Sequence, residues 1–211
     1  MSNALNIKID ESQLRGIKFV LSGIRNGYPD AVRWSLNRTV TATKTAMSTE
    51  ARKVLNLRKA TVDKRIEVKK ATKKDINAYV KRSGDPVSLT SFVGTKQLTR
   101  GVSAKIKKTS KRSIIQHAFI STANKSQQAF RRAKPPYRVP VKQLPKNYKS
   151  YFAGLDKGDP RKKPIERLTG PRVEDIISKP SIIAAIQSRA DEAWTKNIES
   201  QTKFLLGKLG R

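Results

Sequence analysis

The side chains that most often make and break covalent bonds are scarce in this sequence. It holds one histidine, His117, and no cysteine. No thiolate nucleophile, disulfide or Cys-based zinc site can be built, and one imidazole is too few for the usual His-containing triads and zinc centres. His117 sits in the apolar run Ile114-Ile115-Gln116-His117-Ala118-Phe119, where packing in a core or edge strand is expected. No glycine-rich phosphate loop is present. One pattern matches the letters of metal-dependent nucleases. In those enzymes an Asp after Pro and an acid-x-Lys hold Mg²⁺ and position the attacking water. Here Pro29-Asp30 and Glu67-Val68-Lys69 carry the letters, but Asp30 is placed to cap a helix rather than to end a strand. The expectation is a chain that is not an enzyme, with no catalytic residues, no metal ligands and no cofactor.

The chemistry that remains is electrostatic. Forty-six Lys+Arg stand against sixteen Asp+Glu, a net charge of +30 in 211 residues. A monomer so charged repels itself and calls for a polyanion: nucleic acid, an anionic membrane or an acidic protein surface. The excess is concentrated. Residues 44–112 carry 20 basic and 5 acidic groups and residues 125–167 carry 13 and 3, whereas residues 1–43 carry 6 and 3 and residues 171–211 carry 7 and 5. A merely solvated surface interleaves both signs. The candidates for contact with DNA or an acidic partner are Lys69, Lys70, Lys73 and Lys74; Lys105, Lys107, Lys108, Lys111 and Arg112; Arg131, Arg132 and Lys134; and Arg161, Lys162 and Lys163. Such groups meet phosphates without reading bases. Aromatics are few and lysine outnumbers arginine. That disfavours single-strand stacking grooves and base-edge readout.

The elements that must carry these groups are legible in part. Behind Asp10 and Ser12, Leu14, Ile17, Val20, Leu21 and Ile24 recur at helical spacing, until Gly27-Tyr28-Pro29 breaks the run. A longer helix is predicted from about Asp30 to Leu55 on Val32, Leu36, Val40, Met47, Ala51, Val54 and Leu55, with Thr43 filling a small slot and Trp34 as a packing anchor. A further turn is predicted near Thr61–Arg65. Period-2 alternation follows at Ile66 and Val68, at 76–80, 87–91 and 102–106, and the run Ile114–Thr122 is β-branched. With Ser83-Gly84-Asp85-Pro86 as a turn, this predicts an antiparallel sheet with one apolar and one lysine-bearing face. Residues 124–170 hold or adjoin seven of the ten prolines and predict an extended basic arm. Helix returns at 173–177 and, after Pro180, on Ile182, Ile183, Ile186, Ala190, Ala193, Trp194, Ile198, Phe204, Leu205 and Leu209. That long stripe fits packing on the sheet together with the Asp30 helix, and a subunit-interface helix is the alternative. The expected class is α+β: an antiparallel sheet packed by a long helix in the N-terminal half and a long C-terminal helix, with an extended Pro/Lys-rich arm. Residues 1–123 would form helices plus sheet, 124–170 the arm, and 171–211 helices packing back on the same single domain. Hydrophobic residues make up only 36% of the chain, so a share of it is expected to be ordered by neighbours. No apolar run reaches the roughly 18 residues of a membrane span, and no signal peptide is evident at the start.

Two blocks resemble a known family. The run Leu36-Asn37-Arg38-Thr39-Val40-Thr41-Ala42-Thr43-Lys44-Thr45 leads on through Glu50-Ala51-Arg52-Lys53-Val54-Leu55-Asn56-Leu57 and Lys59-Ala60-Thr61-Val62-Asp63-Lys64-Arg65-Ile66. This resembles the minor tail protein Z family of phages and prophages, the tail completion proteins of lambda-like phages. Pro164-Ile165-Glu166-Arg167-Leu168-Thr169-Gly170-Pro171 is similar to that family's basic-strand-to-helix junction, and Val102 to Lys108 to its central strand. The Pro-rich stretch 135–163 is longer than the family leads one to expect. The resemblance implies a non-catalytic virion protein of the tail or neck, made in the host cytoplasm. It would act at the head–tail junction in tail completion, head–tail joining and seating of the genome end. It further implies a homo-oligomeric ring, hexameric by preference, beside a tail terminator, a connector or the end of a tape measure, with double-stranded DNA close by and no membrane. A freestanding, sequence-independent nucleic-acid-binding protein is the alternative, distinguished by salt-sensitive binding without rings.

Overall fold

The computed structural model describes residues 11–82, 84–123, 126–132 and 165–209. The chain divides into two compact units, residues 1–86 with 171–211, and residues 87–170.

The first unit is built on two long helices. Asn26, in the left-handed region at φ 58°, turns the chain into α2, Gly27–Val54. Pro29 falls in the first turn, where its fixed φ is tolerated and its missing N–H is not needed. Asp30 is also in that turn, where a carboxylate favours the helix dipole, and it accepts from Arg33 at 2.7 Å. The helix ends as Leu55 becomes extended. Its buried positions include Gly27, Ala31, Ser35, Thr39 and Thr43, a row of small residues every fourth position. Helix α5, Pro180–Leu209, offers larger side chains, burying Ile186, Trp194, Ile198 and Leu205. Small against large lets two helices interdigitate closely. Two polar contacts show that they run antiparallel: Arg189 lies 3.4 Å from Glu50, and Asn197 donates to Thr39 at 3.2 Å. Each fully buried aliphatic or aromatic side chain contributes roughly 1.5–3 kcal/mol. The mid-helix threonines bond back along the helix, exposed Thr41 Oγ1 to the Asn37 carbonyl and buried Thr43 Oγ1 to that of Thr39, so that burial leaves the Thr43 hydroxyl satisfied. Buried Glu50 accepts from Lys53 and faces Arg189, which compensates a desolvated carboxylate. Helix α1, Glu11–Val20, and the turn after it join this core through Leu14, Ile17, Leu21 and Ile24.

Helix α3, Lys59–Asp63, leads into β1, Ile66–Lys69, which pairs antiparallel with β2, Tyr79–Arg82. Ile66 is buried while Glu67 and Lys69 face out, the period-2 pattern of a half-covered ribbon. Helix α4, Val173–Ile177, buries Val173, Ile176 and Ile177, and Ser178 just beyond it accepts from Arg82 at 3.0 Å.

The second unit is β-rich. β4, Lys96–Leu98, β5, Gly101–Ala104, and β6, Ser113–Gln116, form one antiparallel sheet. β7, Ala118–Ala123, β8, Ser126–Arg132, and β9, Ile165–Arg167, form another. β6 and β7 are consecutive, separated only by His117 at φ 60°, so one strand path bends to serve both sheets. The Gln97 side chain bridges them, donating to the Gly101 carbonyl and accepting from the Ile120 N–H at 2.8 Å. Val87, Leu89, Phe92, Val102, Ala104, Ala118 and Ala129 are buried. Gly101, at φ 148°, lies where any Cβ would fall on the Ile115 carbonyl. The chain passes between the units within β3, Pro86–Ser88, and β10, Thr169–Arg172, which pair with each other.

The class is α+β, with the two long helices where periodicity placed them. Several finer expectations are corrected. Among the described residues the strands form four small sheets in place of one. In place of one domain there are two compact units, parting at 86/87 and 170/171, and the C-terminal helix, expected beside the Asp30 helix, packs on α2 in the first. Residues 126–132, 165–167 and 169–172 are strands inside or beside the stretch read as an arm, and 133–164 lies outside the described residues. Asp30 is not the cap, because Asn26 starts the helix one turn earlier. The strand expected at 87–91 ends at Ser88, where Leu89–Ser91 tightens into a 3-10 turn. The strand expected through Lys108 ends at Ala104. Gly101–Ala104 is buried on both faces, so it carries no lysine face. His117 is an exposed corner rather than a packed residue.

Candidate nucleic-acid interface

The first lysine cluster lies on the β1–β2 ribbon of the helical unit. Lys69 ends β1; Lys70, Lys73 and Lys74 lie in the loop to β2. The loop is tied down at its start. The Asn37 carboxamide on α2 donates to the Ala71 carbonyl at 3.0 Å and accepts from the Ala71 N–H at 2.7 Å, and Ala71 is buried. Further along, the Thr72 N–H donates to the Asp75 carbonyl at 2.7 Å, and the Asp75 N–H donates to Thr72 Oγ1 at 3.1 Å. Asp75 is the loop's only acid. Its carboxylate accepts from Lys69 Nζ at 2.8 Å and from the Asn77 N–H at 3.2 Å. The Lys69 hydrogen bond holds the Asp75 carboxyl below its ordinary value, helped by the Asn77 N–H, and the same bond holds the Lys69 ammonium above its own. The Tyr79 ring lies 5.6 Å from Lys69 Nζ. Lys69 is thus occupied within the loop. Lys70, Lys73 and Lys74 are exposed and pair with no acid among the described residues.

Lys73 also lines a cleft of about 250 Å³ with Asn26, Pro29, Asp30, Arg33 and Ile76. Arg33 gives one guanidinium nitrogen to Asp30, while its buried Nε has no hydrogen-bond partner among the described residues.

The second cluster lies on the hairpin between β5 and β6 of the β-rich unit. Ala104 pairs with Ser113, so residues 105–112 are the connection. It holds Lys105, Lys107, Lys108, Lys111 and Arg112 and no acid. Ser110 N–H donates to the Lys107 carbonyl, closing a turn, and Arg112 donates to the Gly94 carbonyl. Gly94 has φ 74°, and a Cβ there would meet that guanidinium. Lys107, Lys108 and Lys111 are exposed, and none pairs with an acid among the described residues.

The remaining candidates do not gather. Arg131 on β8 pairs with Glu166 on β9 at 3.1 Å. Arg132 ends β8. Lys134, Arg161, Lys162 and Lys163 lie outside the described residues. Nor do the nuclease letters meet in a metal site. Asp30 is engaged by Arg33, Glu67 lies opposite Lys81 on the ribbon, and no group of three His, Asp or Glu side chains among the described residues could hold a metal. Asn37 and Asp75 were missed from sequence. An amide paired with a backbone 34 residues away leaves no local signal, and one Asp within a lysine run reads as dilution of charge. No family model, no curated protein and no solved structure matches this chain.

Proposed function

We propose that this chain is a non-catalytic structural protein of a phage neck or tail, acting at the head–tail junction as a ring beside the DNA channel. On this reading it completes the tail, helps join it to the head and helps seat the genome end. The observation that carries the proposal is a pair of loops, one in each unit, that present Lys70, Lys73 and Lys74 and Lys107, Lys108 and Lys111 to solvent without acidic partners among the described residues. Charge held this way is available to an external polyanion and contributes little to the fold. The resemblance of residues 36–66 to tail completion proteins supplies the assembly context. The test is twofold. Purified protein is imaged by negative stain, and particles made without it are assayed for joining. Rings, together with unjoined heads and tails, are expected. A monomer that binds duplex DNA with a steep salt dependence, in particles that join normally, would point instead to a freestanding nucleic-acid-binding protein.

A further inference from the structure

The two lysine loops are not equivalent, and we infer that the loop of residues 70–74 is the element that grips the backbone of duplex DNA, held in place by Asn37. The inference rests on the polyanion reading above and assigns it to one loop. Three observations carry it. The loop's position is set from within the helical unit, since Asn37 holds both polar groups of Ala71 and Thr72 and Asp75 close the turn that follows. Lys70, Lys73 and Lys74 therefore start from fixed backbone, and less ordering is needed when they meet a ligand. The available cations are all lysines. Lysine is depleted from protein–protein interfaces, and its ammonium meets a phosphate as a point charge without reading a base. The nearest exposed ring, Tyr79, is already paired with Lys69. With that ring engaged, the loop itself offers phosphates charge rather than bases a stacking face, which favours a duplex over a single strand.

The experiment measures binding of the full chain to a short duplex of arbitrary sequence between about 50 and 200 mM salt, where log K falls by about 0.9 per phosphate contact for each unit of log salt. Replacing the three loop lysines together, Lys70→Gln, Lys73→Gln and Lys74→Gln, is expected to flatten that slope by about 2.7 and to weaken binding at least tenfold. Asn37→Ala removes no charge, yet is expected to flatten the slope by about 1 or more, as lysines lose their fixed origin. A thermal melt is run alongside to check that this variant is folded at the assay temperature. The matching hairpin triple, Lys107→Gln, Lys108→Gln and Lys111→Gln, is expected to change the slope by less than about 1. A hairpin triple that abolishes the slope while the loop triple keeps it overturns the assignment and leaves the polyanion reading standing. A wild-type chain with no salt-dependent duplex binding removes both. Polyglutamate binding that tracks the loop lysines, with duplex binding indifferent to them, overturns the assignment in favour of an acidic protein.

Discussion

The β1–β2 loop of the helical unit and the β5–β6 hairpin of the β-rich unit are both lysine-rich and are built in opposite ways. The first contains an acid, and that acid does not cancel charge at random. Asp75 engages Lys69 and the Asn77 N–H, and so shapes the backbone from which three other lysines extend. The second contains no acid, and its shape comes from the strands at its base and from Arg112 reaching Gly94. Lysine content is therefore a poor guide to what a basic loop does. What separates the two is how firmly each origin is fixed and which cations remain unspent.

The largest expected effect breaks the hairpin at its base. Gly101→Ala forces a Cβ onto the Ile115 carbonyl at a φ that L-residues avoid. It is expected to cost about 3 kcal/mol or more, read by thermal or denaturant unfolding. Amide exchange should show the loss across β4–β6 while the α2–α5 amides stay protected, because the two units have separate cores. Equal loss of protection in both units would erase the distinction drawn here.

Asn37→Ala is the corresponding break on the other side. It strips the partly buried N–H and carbonyl of Ala71 of their partner at once. An unsatisfied group of this kind costs about 1–3 kcal/mol, so a destabilisation of about 2–3 kcal/mol is expected by denaturant titration, with faster amide exchange confined to 70–78. A change under about 0.5 kcal/mol would mean that the loop holds its shape without α2.

A smaller effect follows from pH. Asp75 has a depressed carboxyl pKa in the folded chain, so it binds its proton more readily when unfolded. The stability it contributes is present above the ordinary carboxylate value of about 3.9 and is lost as pH falls through the lower folded value. The Asn77 amide shift should titrate in that acidic window, followed by NMR. The 105–112 amides should not respond through a carboxylate of their own, since that loop has none. An Asn77 amide that stays constant to well below that window would remove Asp75 from its shaping role.

The two halves of this contrast were unequally legible in the sequence. The α2 and α5 stripes follow the 3.6 period closely, because Ala31, Val40, Met47 and Ala51, and Ile186, Ala190, Trp194 and Ile198, are all buried. The start of α2 is not legible in the sequence, because a left-handed Asn26 makes no side-chain cap hydrogen bond. The lysine face expected on the strand from Val102 failed for a different reason. Alternation was read from Val102, Ala104 and Ile106, but Ser103 is buried as well, so the strand is covered on both faces and its lysines begin only after it ends. The bend at His117 depends on one positive φ, which a non-glycine residue does not advertise. Lysine clusters could be picked out by counting, but not their sorting into spent and unspent members. Lys69 is removed by Asp75 and Tyr79, Arg131 by Glu166 and Arg112 by a carbonyl, and these pairings depend on turns and registers rather than on composition.

The smallest expected effect on the fold separates the loops by what they do. Lys107→Glu with Lys108→Glu changes two exposed residues with no partner among the described residues, so stability should move by no more than about 0.5 kcal/mol. The thermal midpoint and the circular dichroism spectrum should be those of the parent chain. Function should nevertheless suffer. A cationic hairpin that meets an acidic subunit or a genome end becomes locally repulsive, and a like-charge contact costs far more than a neutral one. On the proposed role at the head–tail junction, heads and tails carrying the variant are expected to accumulate unjoined. The salt dependence of duplex binding, carried by Lys70, Lys73 and Lys74, should persist, because those residues occupy a separate loop in the other unit. Joined, infectious particles from this variant would count the hairpin as solvated surface. Loss of joining together with loss of the duplex salt slope would mean that both loops meet the same polyanion, and the distinction between a fixed grip and a free hairpin would lose its functional meaning.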